Sequence, residues 1–319
     1  MRCIICNSSS SKKKIKLRDK SLSTLFKCDK CEMIFLEEKY KSIFKNDTYE
    51  KSRLGKAGLK IPSLKEDFIN GKLHYKDIIE RHKLLSNKDR NKNILEIGCS
   101  WGFFLEESKK FKINPFGIEV IPARNSYVNN KLKIPCYYDL EVAIKKNIKF
   151  DKVFIFYTLE HISSPIDFLK KIFQVLEKKG SIFIITPNHN DFLKDYWNNQ
   201  AFKDFFYEKT SIAYYSVKSI IKLINVFKKK YKYKFKYSVY TEQHYSVGNH
   251  FKWHFTNSPS TTGIIGEDKF MQEIFNNIEK NDDKLSSQVK KLFKEFDSSY
   301  KKILSNSNYG NQIIFKINK

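Results

Sequence analysis

From residue 93 to residue 188 short apolar runs alternate with amphipathic stretches. The runs at 93–97, 116–120, 134–138, 150–157 and 181–188 read as buried strands, and residues 103–110 and 168–178 read as helices between them. Gly180 is placed to stop the second of these helices. This order predicts an α/β fold, a doubly wound and mostly parallel Rossmann-like sheet. Upstream, residues 41–92 predict a helical connector: between 67 and 85, Phe68, Leu73, Ile78, Ile79 and Leu85 stand among charges, an imperfect stripe expected to pack on the following domain.

The first 40 residues follow neither period. They hold two Cys-x-x-Cys pairs, Cys3/Cys6 and Cys28/Cys31, with 21 residues between Cys6 and Cys28. Two residues between thiolates let one tight knuckle present both sulfurs to one ion, and two knuckles complete a tetrahedral site, so a structural Zn2+ in a small ribbon is expected. An iron–sulfur cluster or plain reduced thiols are the alternatives. The intervening segment is rich in Ser and Lys and offers little core, so the metal is expected to supply the folding energy.

Charge changes the picture less than its size suggests. The 319 residues carry a formal +25, yet only six of the 60 basic side chains are Arg, the residue suited to bidentate reading of bases and phosphates. The lysines are spread along the whole chain, so nucleic acid is disfavoured as a partner. The N-terminus has no secretory pattern and no apolar run reaches about 18 residues. A cytoplasmic protein without a membrane span is expected, in keeping with reduced cysteines. Length and an apolar fraction of 41% suffice for a sizeable core.

The first strand–turn–helix unit carries the most informative residues. Gly98-Cys-Ser-Trp-Gly102 turns sharply out of strand 93–97 and into a helix, where small residues allow a backbone to approach a ligand. A dinucleotide fingerprint would need a glycine where Phe103 stands, so NAD and FAD fit poorly. Glu96, Gly98, Ser100 and Gly102 fall on E-x-G-x-G-x-G, with Ser in the middle place, and Glu119 ends the second strand 21 residues after Gly98. Further on come Phe150-Asp-Lys-Val, Leu159-Glu-His-Ile-Ser-Ser-Pro165, Gly180 and Thr186-Pro-Asn188. Together these resemble the class I S-adenosylmethionine-dependent methyltransferases, in particular the branch with an N-terminal zinc ribbon seen in bacterial sugar and surface-polysaccharide clusters.

The resemblance implies S-adenosylmethionine as cofactor. It places Glu96, Gly98, Ser100 and Gly102 in the cradle, Glu119 on the ribose hydroxyls, Asp139 near the adenine, and Tyr157 beside the cofactor at the end of the fourth strand. Asp139 could equally cap the helix that follows it. The implied organisation is a zinc ribbon at 1–40, a connector at 41–92, a cofactor-binding domain at 93–240 with a late helix at 214–226, and an acceptor-side cap with the last strand at 241–319. The implied acceptor is a small molecule, a hydroxyl of a nucleotide-linked sugar or surface glycan. His161 is then the candidate base, or else a residue that fixes the loop after the fourth strand. His189, His244 and His250 are expected to be structural, and Tyr245, Phe251 and Trp253 to pack in a core or stack on an acceptor. Neither Cys99 nor Cys136 is placed as a nucleophile, and no N-P-P-Y-like sequence follows the fourth strand. An RNA methyltransferase gripping its substrate with the ribbon and Lys surface, and a non-catalytic scaffold, are the competing readings.

Overall fold

The computed structural model describes residues 1–18, 20–36, 63–73, 81–208, 210–258 and 284–319. Ile78 and Ile79 of the expected connector stripe lie outside these residues. In chain order the N-terminal segment forms β1 (Ser10–Lys16), β2 (Leu22–Cys28) and β3 (Ile34–Leu36), and the connector contributes α1 (Leu64–Leu73). Then follow β4 (Asn93–Ile97), α2 (Phe103–Ser108), β5 (Asn114–Ile118), α3 (Pro122–Asn130), β6 (Cys136–Tyr137), α4 (Leu140–Lys145), β7 (Phe150–Phe156), α5 (Pro165–Val175) and β8 (Leu176–Pro187). The remainder is α6 (Phe192–Asp195), α7 (Gln200–Phe206), β9 (Ala213–Tyr214), α8 (Val217–Tyr231), β10 (Lys236–Glu242), α9 (Val247–Thr256), α10 (Lys284–Asn306) and β11 (Gln312–Asn318).

The large sheet runs β10-β11-β8-β7-β4-β5-β6, and β8 through β6 are parallel while β11 and β10 are antiparallel. This is the class I methyltransferase variant of the Rossmann-like fold. The strand order reverses between β4 and β7, and a crevice therefore opens at their carboxyl ends, where ligands of open α/β sheets bind. On one face, Leu169, Ile172 and Phe173 of α5 meet Ile220, Leu223 and Phe227 of α8 over β7 and β8. Phe173 and Phe227 lie edge on at 4.9 Å. Each such buried side chain contributes about 1.5–3 kcal/mol.

Two elements depart from the sequence expectation. The helix expected to run to 178 ends at Val175, and Leu176 to Lys179 already belong to β8, with a register break opposite Phe150 and Lys152. Gly180 is thus a strand residue lying against Leu176, whose side chain an added Cβ would meet at 2.8 Å. The helix expected from 214 starts at Val217, capped by Ser216, because Ala213 and Tyr214 pair with Phe35 and Ile34 of β3. Backbone pairing to a distant strand overrides local helical periodicity there.

That pairing closes a second sheet, β1-β2-β3-β9, between the ribbon and the larger domain. Leu36 donates its N–H to the Ile212 carbonyl at 3.0 Å, Arg18 bonds Glu208 at 2.8 Å, and Arg18 also lies 3.9 Å over the Phe205 ring. Ile5, Phe26, Met33 and Phe35 share one core with Ile97, Ile155 and Tyr215. The connector is fastened at the opposite side of β4. Phe68 of α1 sits 5.1–5.3 Å from the rings of Trp101, Phe103 and Tyr127, while Asp67 accepts from Trp101 Nε1 at 2.8 Å and pairs with Arg124 at 3.0 Å.

Because ribbon and sheet share a core, Cys28→Ser is expected to lower the melting temperature of the whole molecule in a single transition. Thermal denaturation followed by circular dichroism checks this; a ribbon that melts separately from the large sheet would show two independent cores.

Candidate functional site

At the crevice, β4 and β5 each deliver a buried carboxylate. Glu119, just past β5, accepts from the backbone N–H of Ser100 and of Ile121, both at 2.8 Å. Each oxygen retains a lone pair, as a vicinal diol would require. Burial raises its pKa, and the two N–H bonds and Arg124 pull it back down. Glu96, on β4, is buried as well, and its Oε2 has no hydrogen-bond partner among the described residues. Desolvation pushes its pKa up to about 8, opposed by the positive charge of Arg81 and reinforced by Glu119.

The loop between them is built on positive φ: Gly98 at 77°, Ser100 at 50° and Gly102 at 75°. The two glycines serve the protein's own packing. A Cβ on Gly98 would stand 2.2 Å from Thr158 Oγ1, and one on Gly102 would stand 2.9 Å from Val128 and Leu132. They press the turn against β7 and α3, and so set the position of Ser100 and its bond to Glu119. Ser100 accepts a left-handed conformation that costs a non-glycine residue about 1 kcal/mol or more.

Beside Glu96, Tyr157 also takes positive φ, 47°; its N–H bonds the Ile185 carbonyl at 2.9 Å and its hydroxyl donates to Gln312. Arg81 lies 4.6 Å over the Phe156 ring and 5.3 Å over the Tyr157 ring. Neither Arg81 nor Gln312 stands in a motif. The signal that could have found Arg81 is its type, one of only six arginines among 60 basic side chains. Asp139 is exposed and caps α4, accepting from Val142 N–H at 3.3 Å.

His161 follows β7 on a short 3-10 turn. Its Nδ1 is 2.7 Å from the Thr210 carbonyl, which can only accept, so Nδ1 carries the proton and Nε2 the lone pair. Glu160 beside it is buried, accepts from Thr186 Oγ1 at 3.0 Å, and has its pKa raised by that burial. Among the later histidines, His250 is enclosed between Gln243 at 3.2 Å and the Tyr300 hydroxyl at 2.6 Å, and burial drives its pKa down to about 3. His189 bonds Tyr207 at 3.0 Å. Trp253 packs on Phe202 and Phe205, and Phe251 stacks on Trp197. Cys99 and Cys136, both buried, hold their sulfurs 3.8 Å apart above Gly117. That thiol contact and burial raise Cys99 well above the ordinary range, unsuited to a nucleophile.

In the ribbon, the sulfurs of Cys3, Cys6, Cys28 and Cys31 all lie within 4.8 Å of one another, with contacts of 3.5–3.7 Å. A tetrahedron of thiolates about 2.3 Å from Zn2+ has edges of roughly 3.8 Å. The four donors therefore fit that ion.

Against known proteins, residues 71–226 match the family described as a methyltransferase domain. The chain carries a class I S-adenosylmethionine-dependent methyltransferase domain. The ubiquinone biosynthesis O-methyltransferase of Pelagibacter ubique is 31% identical over 127 residues, 38% of this chain and 52% of that protein. The tRNA U34 carboxymethyltransferase of Campylobacter lari is 29% identical over 182 residues, 54% of this chain and 60% of that protein. The matches thus span little more than half the length of these curated relatives. The plantazolicin methyltransferase BamL, solved with a triazolic desmethylPZN analog and SAH, shares the fold with a TM-score of 0.50 at 14% identity, covering 88% of this chain and 97% of that one. Among the described residues no helix is long and apolar enough to cross a membrane.

The orphaned carboxylate tests whether the methyltransferase domain's cofactor fits here. S-adenosylmethionine carries an ammonium group and a ribose diol, and Glu96 and Glu119 match those two in charge and acceptor capacity.

Without ligand, folding keeps a proton on Glu96 that the unfolded chain releases above its ordinary value of 4.5. The unfolded state therefore binds fewer protons, and this group's contribution to stability falls as pH rises from 4.5 toward 8. Glu96→Gln is expected to stabilise the ligand-free protein at pH 8 by about 2–4 kcal/mol and to flatten that fall. Urea denaturation at pH 5 and pH 8 checks it; equal effects at both pH values would show that Glu96 stays charged.

Proposed function

We propose that this protein transfers the methyl group of S-adenosylmethionine to a hydroxyl of a small, sugar-containing acceptor. The observation that carries the cofactor half is the pair of buried carboxylates at the switch point, one of which, Glu96, has an oxygen with no hydrogen-bond partner among the described residues. When bound, the cofactor supplies an already electrophilic methyl, so the chain has to bind, align and exclude water. Glu96 and Arg81 would take the ammonium and carboxylate of its amino acid end, Glu119 its ribose, and the turn at Gly98 to Gly102 its flank. Asp139 and Tyr157 complete the contacts proposed for it.

An alcohol is a poor nucleophile while protonated, so a base assists. His161 is assigned that role: with Nδ1–H held by Thr210, Nε2 would accept the hydroxyl proton as the new O–CH3 bond forms and the S–CH3 bond breaks. An oxygen acceptor agrees with the name of the O-methyltransferase relative. A sugar acceptor rests on the sequence resemblance to polysaccharide-cluster methyltransferases. The tRNA-modifying relative supports a second reading, RNA as the acceptor, which steeply salt-dependent RNA binding would promote. A structural Zn2+ is inferred in the four-cysteine ribbon. A scaffold without cofactor would have no use for a buried carboxylate oxygen left without a hydrogen bond.

Calorimetric titration with S-adenosylhomocysteine is the test. Micromolar affinity, about 8 kcal/mol, is expected for the wild type. Glu119→Gln should weaken it about tenfold or more by replacing one acceptor oxygen with a donor. It is preferable to Glu119→Ala, which unties both Ser100 and Ile121. A folded wild type with no affinity would sink the cofactor assignment. For His161→Ala, cofactor affinity is expected to hold while turnover falls about 10²-fold; unchanged turnover on an identified acceptor would leave His161 a loop-fixing residue.

A further inference from the structure

One line along the surface of α10 fastens it to the rest of the fold. Asp297 accepts from the Val247 N–H of α9 at 2.8 Å, the Tyr300 hydroxyl lies 2.6 Å from His250 Nδ1, and Leu304 is buried. Ser305 accepts from Thr241 Oγ1 through its carbonyl at 2.7 Å and from the Gln243 N–H through its hydroxyl at 2.8 Å. At about 100° per residue, Leu285, Leu292, Phe296 and Ile303 fall on a second line, roughly a quarter turn away and within about 40° of one another. These four side chains remain 47–66% exposed. Single apolar residues at a surface are ordinary, but four in one stripe on an anchored helix mark an interaction face.

The stripe is symmetric along the helix. Leu292 and Phe296 stand two residues either side of position 294, and Leu285 and Ile303 stand nine residues either side of it. A second copy of α10, laid antiparallel across a two-fold axis at 294, therefore sets Leu292 against Phe296 and Leu285 against Ile303, twice each. Symmetry about a midpoint is what a self-complementary interface needs, and a different partner places no such demand. Charge agrees with it. The flank beside the stripe carries Lys291 and Glu295, both exposed and 3.9 Å apart. The same axis brings Lys291 beside the second copy's Glu295, and Glu295 beside the second copy's Lys291. Lys284 and Lys302 oppose each other at the ends, where both are exposed and salt screens them.

We infer that the face of α10 carrying Leu285, Leu292, Phe296 and Ile303 is an interface between two copies of this chain, paired antiparallel about residue 294. At their exposure the four side chains bury on the order of 400 Å2 per copy, and with the lysine stems beside them the pair comes near the roughly 1,200 Å2 at the lower end of stable interfaces. That size fits a reversible dimer in the micromolar range. The pairing is independent of the methyltransferase reading, since none of these residues is assigned to cofactor or acceptor.

Sedimentation velocity of the full-length, zinc-loaded protein over about 1–100 µM is expected to show a monomer–dimer equilibrium, and Leu292→Glu/Phe296→Glu to raise its dissociation constant about a hundredfold or more. Both side chains are exposed, so the helical circular dichroism and melting temperature of that variant are expected to match those of dilute wild type. Lys291→Glu alone and Glu295→Lys alone should each weaken association about threefold to tenfold. An equimolar mixture of these two variants should restore it, because in the mixed dimer each flank again meets the opposite sign. Wild type that stays monomeric at about 100 µM overturns the interface. So does a dimer indifferent to Leu292→Glu/Phe296→Glu, which pairs elsewhere. A fall in that variant's melting temperature with association unchanged assigns the stripe to packing within one chain and overturns it too. Single charge variants that the mixture does not rescue overturn the antiparallel pairing about residue 294.

Discussion

Two carboxylates, Glu96 and Glu119, sit buried at neighbouring strand ends in a medium that disfavours their charge. Everything around the crevice answers to that desolvation. Two backbone N–H groups are turned toward Glu119, that of Ile121 and that of Ser100, the latter from a loop with positive φ at three of its five residues, Gly98 to Gly102. Arg124 offsets Glu119 and is itself pinned by Asp67 from the connector. Arg81 does the same for Glu96 from across the Phe156 and Tyr157 rings. Of the two carboxylates, Glu96 keeps an oxygen with no hydrogen bond among the described residues. The crevice is therefore tied down around Glu119 and under electrostatic tension around Glu96, a division of labour suited to a ligand bearing one diol and one cation.

How much of this could be read in the chain depended on whether a feature was local. The parallel sheet was legible because each strand is a short apolar run bounded by polar residues, and the cradle because its glycines and Glu119 fall at fixed intervals. The cysteine knuckles were legible for the same reason. What the sequence concealed is long-range. Ala213 and Tyr214 look like the start of a helix until β3 offers them a ladder. Val175 ends α5 early because Leu176 is already opposite Phe150. Arg81 and Gln312 reach the site from segments with no motif of their own.

The glycines of the cradle carry a related lesson. A glycine-rich turn beside a strand end suggests close approach of a ligand, yet the nearest atoms to an added Cβ belong to Thr158, Val128 and Leu132. Spacing singled out these glycines, and packing supplies a reason for them that spacing does not carry. The scarce arginines show the converse. Arg18 joins ribbon to Glu208 and Phe205, Arg124 joins connector to cradle, and Arg81 spans connector and strand end. In a chain dominated by lysine, three of the six arginines thus stand at joints between segments, and Arg18 both stacks and hydrogen-bonds there.

The segment from Phe205 to Ile212 connects these observations. Its Phe205 and Tyr207 carbonyls accept from Arg18, its Ile212 carbonyl from Leu36, and its Thr210 carbonyl from His161. One short stretch of backbone thus clasps the ribbon on one flank and selects the imidazole tautomer on the other. The ribbon is for this reason a piece of the frame that holds the Thr210 carbonyl against Nδ1 of His161, so the imidazole's orientation is tied to the packing of a module distant from it in sequence.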